Sequence, residues 1–69
     1  MIDKEIEKRF TYHPPKEDQP KKYEKLRALA KELAYLINNL CPESRERSLA
    51  QTKLEEAVMW ANAAIARNE

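Results

Sequence analysis

The sequence predicts an all-α chain: an antiparallel helical hairpin of two long helices, preceded by an N-terminal extended arm or short helix, with copies associating into a homo-oligomer. Three observations lead there. Apolar residues recur at three- and four-residue steps through two long stretches, while the one run of strand-type residues, Phe10-Thr11-Tyr12, is too short to make a sheet. The two stretches are joined by a tight segment, Cys41-Pro42-Glu43-Ser44, and short helix–helix loops favour antiparallel neighbours. The third is size: 69 residues make one domain, residues 1–69, and a chain this short buries only about 60% of its unfolded surface. Its single cysteine allows no internal disulfide and no CxxC-type metal site, so oligomerisation is the remaining way to staple it.

Composition narrows the function classes. Thirteen basic against twelve acidic residues give a net charge of +1, a poor footprint for binding polymeric nucleic acid. Glycine is absent, which excludes the glycine-rich phosphate loops that need close backbone approach. No apolar run reaches the length of a membrane span and the start is polar, so no membrane partner is expected. A lone thiol fits a reducing compartment, and a cytoplasmic protein is expected.

Residues 1–19 read as the arm. Ile2, Ile6 and Phe10 are four apart, which allows a short helical start. Pro14 pushes His13 toward extended geometry, and Pro14-Pro15 stiffens the segment that carries the rings of Phe10, Tyr12 and His13.

Helix one is expected over residues 20–40. Pro20 suits a first helical position, with Asp18 the better cap by residue type and Gln19 the alternative. Tyr23, Leu26, Ala30, Leu33, Ile37 and Leu40 form a heptad stripe. Leu29 and Leu36 flank it, so the apolar face is wider than one partner helix requires. A broad core face and a second partner both explain that width.

Helix two is expected over residues 44–67, with Ser44 as cap. Ala50, Leu54, Ala57, Ala61 and Ala64 make a small-residue stripe facing the large side chains of helix one, and Leu49, Val58 and Ile65 widen it. Met59 and Trp60 cannot both join it, because neighbouring helical positions point about 100° apart. Arg45 and Arg47 oppose the helix dipole and are either solvated or kept for a partner or ligand.

Catalysis has little support. His13 is the one histidine, nothing pairs it with Cys41, and Glu55-Glu56 diverge as neighbours, so no catalytic residue, metal ligand or cofactor is assigned. Two groups of residues suit ligand binding. In the first, Tyr12 and His13 offer flat faces for a base, with Lys21, Lys22, Lys25, Arg27 and Lys31 as nearby cations. Arg27 and Lys31 lie one turn apart, a spacing that suits a phosphate. The second group is Trp60, Asn62, Arg67 and Asn68. Asn62 could read a base edge or pair with a partner backbone, and Arg67 also has a structural explanation in the helix dipole.

The arm Arg9-Phe10-Thr11-Tyr12-His13-Pro14-Pro15, the segment Gln19 to Arg27, the turn Cys41-Pro42-Glu43-Ser44-Arg45-Glu46 and the ending Met59 to Asn68 together resemble a family of small phage proteins. This is the anti-CBASS cyclic-oligonucleotide sponge family, whose hairpin domain also occurs in a related anti-Thoeris sponge. The resemblance implies a helical homohexamer that sequesters cyclic oligonucleotide second messengers, without cleaving them, in the cytoplasm of the infected bacterial host. It implies pockets for cyclic dinucleotides between protomers, and separate three-fold pockets for cyclic trinucleotides in some members. The family's arm tyrosine falls on Tyr12 and its helix-one basic residue on Arg27. Lysine stands there in some members, which keeps Lys25 open. The arginine of the IAR ending falls on Arg67, a candidate for the trinucleotide pocket. The alternative function is a small helical adaptor that docks a host protein through Leu29, Leu36 and Trp60.

Overall fold

The computed structural model describes residues 2–69. Among these there are three helices and no strand: α1 (Lys4–Phe10), α2 (Gln19–Leu40) and α3 (Arg45–Asn68). None of the helices is long and apolar enough to cross a membrane.

The chain begins with a short helix because Asp3 caps it. The Asp3 carboxylate accepts from the backbone N–H groups of Glu5 and Ile6 at 2.9 and 3.2 Å. Arg9 and Glu5, one turn apart, pair at 3.6 Å. Thr11 is extended and ends α1, and the arm then runs through Tyr12 and the two prolines.

The start of α2 differs from expectation. Asp18 stands at the cap position in helical geometry (φ −101°, ψ −3°), and its side chain makes no capping bond. An effective cap is ordinarily extended, which aims its oxygen at the amides of the first turn. Gln19 does the tying instead. Its Oε1 accepts from the Lys16 N–H at 3.0 Å, and its Nε2 donates to the Ile65 carbonyl at 3.4 Å. At 2% exposed it is the one fully buried residue among those described.

Polar rungs join α2 to α3. Near one end, Gln19 reaches Ile65 and Lys22 meets the Glu69 carboxylate at 2.7 Å. Lys16 Nζ donates to the Glu69 backbone carbonyl. Further along, Gln51 Nε2 donates to the Ala34 carbonyl at 2.8 Å and to Asn38 Oδ1 at 3.1 Å. Near the other end, Arg47 donates to the carbonyls of Asn38 and Cys41 at 3.4 and 3.3 Å. As the partners ascend in α2 they descend in α3, so the two helices run in opposite directions. Ser44 caps α3 by accepting from the Arg47 N–H at 3.1 Å. Arg47, unfavourable to its own helix start, therefore sits against the negative end of α2 and satisfies its orphan carbonyls.

The facing residues match the predicted stripes in part: Tyr23, Leu26, Ala30 and Ile37 on α2 and Leu54 and Ala61 on α3 face the partner helix as expected, and the rest do not. On α2 the half-buried set is Tyr23, Leu26, Ala30, Ala34 and Ile37, while Leu33 and Leu40 are exposed. A straight helix drifts about 20° per heptad against a strict seven-residue repeat, and this carries Leu33 outward and Ala34 inward. On α3 the half-buried residues include Arg47, Gln51, Leu54, Val58, Ala61 and Ile65, while Ala50, Ala57 and Ala64 are exposed. Two polar residues, Arg47 and Gln51, take facing positions because they bind α2 carbonyls, and the face turns toward Val58 and Ile65 in place of Ala57 and Ala64.

Among the described residues no hydrophobic side chain is fully buried. The accessible surface is 6113 Å², whereas a compact monomer of 8.1 kDa has about 4,500 Å². The chain measures 51 × 28 × 12 Å, a plate one helix thick. Leu29, Leu33, Leu36 and Leu40 form an exposed ridge about a quarter turn round α2 from the α3 contact. Met59 and Trp60 are exposed on α3.

Candidate functional site

The arm crosses the plate where α2 begins and α3 ends, and the crossing makes a groove of about 540 Å³. Arg9, Thr11, Tyr12 and His13 supply one side. Tyr23 and Arg27 come from α2, and Asn62, Ala63, Ala66 and Arg67 from α3. The volume falls within the roughly 300–1,000 Å³ usual for ligand pockets. It is an open groove, so a ligand lying in it would keep one face in water.

Each side chain has a local reason to be there. Tyr23 and Arg27 are one turn apart on the same face of α2. Asn62 and Ala66, and likewise Ala63 and Arg67, are one turn apart on α3. The arm is held at both ends. His13 Nε2 donates to the Lys8 carbonyl at 2.9 Å, and Lys16 is clasped by Gln19. Between these points Tyr12 presents its ring, which is 80% exposed.

The groove is cationic. Three guanidinium groups line it and no carboxylate does, although Arg9 is paired with Glu5 on its far side. Tyr12, Tyr23 and His13 add aromatic faces. One polar atom in the groove wall is orphaned: Asn62 Oδ1 is buried and has no hydrogen-bond partner. A buried acceptor without a donor costs about 1–3 kcal/mol. Cations, flat faces and a free acceptor suit an anionic, flat, hydrogen-bonding molecule. Among the described residues no His, Cys, Asp and Glu cluster is placed to hold a metal.

Of the eleven residues in the two groups singled out from the sequence, five meet in this groove: Tyr12, His13, Arg27, Asn62 and Arg67. Lys25 is exposed and lies outside it, since two helical positions separate it from Arg27 by about 200°. Lys31 lines a different groove of about 550 Å³ between α2 and α3, which it shares with Arg27, Glu55 and Met59. Asn68 donates to the Ala64 carbonyl at 3.0 Å and, with Arg67 and Trp60, lines a hollow of about 480 Å³ against α1. Arg9 and Tyr23 were not among the sequence candidates. The Tyr23–Arg27 spacing was the available signal, hidden because Tyr23 also fits the apolar stripe.

The family model described as Acb2/Tad1, hairpin domain, matches residues 1–66. The chain belongs to that family. The Acb2/Tad1 assignment carries a sponge-type anti-defence role, by sequestration, and the family is not known as one of enzymes. It agrees with the resemblance drawn from the arm, the turn and the WANAAIAR ending. No curated protein and no solved structure matches the chain.

Proposed function

We propose that this protein binds cyclic oligonucleotide second messengers and withholds them, uncleaved, from bacterial CBASS signalling. The observation that carries the reading is the groove with three arginines, three aromatic faces and no carboxylate. A cyclic dinucleotide offers the complementary chemistry: two phosphates for guanidinium groups and two bases for rings. Stacking on Tyr12 tolerates different bases, which suits a sponge. Arg27 can hold a phosphate oxygen pair in a fork that a lysine cannot form. Membership of a sponge-type anti-defence family supports the same reading.

The groove is open, and in this reading a second copy closes it. The surface excess of about 1,600 Å² over a compact monomer is about twice the roughly 800 Å² that one partner gives to a standard protein–protein interface. The leucine ridge of α2 and the exposed Trp60 supply the apolar surface for association, and a homohexamer is the assembly expected from the resemblance. Closure by a neighbour removes the ligand from water without a large rearrangement. A second ligand class, cyclic trinucleotides, would draw on Arg67, which also lines the hollow with Asn68 against α1, and on Asn62 from the groove wall. The protein would act in the cytoplasm of the infected host.

Calorimetric titration with a panel of cyclic di- and trinucleotides tests the reading. Saturable binding is expected, with Tyr12→Ala weakening dinucleotide affinity about 5- to 100-fold, the stacking energy of one base, while the oligomer remains intact. Wild-type-like binding in Tyr12→Ala would remove the arm from the site. An absence of heat with every cyclic nucleotide, together with a stable complex with a host protein, would favour the adaptor reading.

A further inference from the structure

His13 was singled out as a possible ligand-stacking face, yet its ring nitrogen is already engaged. Nε2 donates to the Lys8 carbonyl at 2.9 Å. That carbonyl belongs to the last turn of α1, where a helix leaves its C=O groups without partners inside the helix. The α1 helix has seven residues and is too short to hold its end by backbone bonds alone. A side chain five residues downstream therefore closes the helix and folds the intervening residues into a loop that carries Tyr12. The neighbouring Pro14-Pro15 stiffens the far side of that loop.

We infer that His13 is a positioning residue: it fixes the Tyr12 arm by capping α1 and takes no direct part in holding the ligand's phosphates. The inference rests on the sponge reading of the groove, whose other charged groups are Arg9, Arg27 and Arg67. The two roles differ chemically. The cap needs only an N–H at Nε2, which the neutral Nε2–H tautomer already supplies, so it does not depend on a charge on the ring. A phosphate contact would instead strengthen when the ring gains its charge.

The experiment compares wild type, His13→Ala and His13→Gln by calorimetric titration with a cyclic dinucleotide at pH 5.5, 6.5 and 7.5. Backbone amide exchange is measured over residues 10–19 of the ligand-free proteins. Glutamine places an N–H donor close to the Nε2 position and carries no charge. His13→Ala is expected to weaken binding about fivefold, the usual worth of one hydrogen bond, and to speed exchange across the arm. His13→Gln is expected to restore both to within about twofold of wild type, at all three pH values. Acid-enhanced binding in wild type that is absent in His13→Gln, with no accompanying slowing of arm exchange in the ligand-free protein, would overturn the inference in favour of a phosphate contact. Unchanged exchange in His13→Ala would overturn it too. If wild type binds no cyclic dinucleotide the sponge reading fails, and the exchange data still decide the anchoring role.

Discussion

Leu36→Ala probes the link between assembly and site most sharply. Leu36 lies on the α2 ridge and is 50% exposed in the single chain. Full burial of a leucine is worth about 2 kcal/mol, so covering its exposed half contributes about 1 kcal/mol per copy. In a symmetric contact the residue appears twice, which raises the loss to about 2 kcal/mol, or about 30-fold in the dissociation constant of that contact. The substitution keeps a good helix former and touches none of the groove residues. Sedimentation equilibrium over a wide concentration range gives the shift directly, with circular dichroism to check that the helices persist. A wild-type chain that is monomeric at high micromolar concentration would refute the reasoning. An assembly in which Leu36→Ala dissociates no more readily than wild type would exclude the ridge as the interface.

Two further predictions concern the clasp between the arm, α2 and α3. Gln19→Ala removes the one polar side chain that is fully buried among the described residues and leaves the Ile65 carbonyl and Lys16 N–H without it; urea unfolding should show a loss of about 1–3 kcal/mol, whereas Asp18→Ala should be near neutral. Lys22 has its pKa raised from 10.5, first by the hydrogen bond to Glu69; desolvation opposes this as the next largest effect, and the nearby charges of Glu69 and Asp18 add smaller rises. A raised basic pKa means stability that is fully present below about pH 10.5 and is lost as pH climbs through the higher folded value. The difference in urea midpoint between wild type and Lys22→Met should therefore be the same at pH 7 and pH 9 and should shrink by pH 11; a difference that grows with pH would contradict the assignment.

Much of the all-helical character was legible, because the three- and four-residue spacing and the prolines act locally. Ser44 as a cap was likewise readable from its type and place before a helical run, and it accepts from Arg47 as a cap should. The facing surfaces were less legible. A heptad count cannot foresee that Arg47 and Gln51 turn inward, since each is drawn there by carbonyls far away in sequence. The same blindness affected Asp18, whose residue type is right for a cap while its backbone conformation is wrong. The groove shows the mixture most clearly. Tyr12 and Arg27 stand out by chemistry, but the meeting of Tyr12 with Asn62 and Arg67 depends on the arm folding across two helix ends. Sequence spacing holds no trace of that crossing, apart from the histidine that anchors it.

Recovery of captured ligand tests sequestration most directly. Cyclic dinucleotide is incubated with a modest molar excess of protein binding sites, free ligand is collected by filtration, and the retained fraction is released by heating and identified by mass. Near-complete depletion of free ligand is expected, followed by return of the same intact molecule in matching amount. Ligand that passes the filter untouched would contradict binding, and ligand returned as a linear or shortened product would contradict sequestration without cleavage.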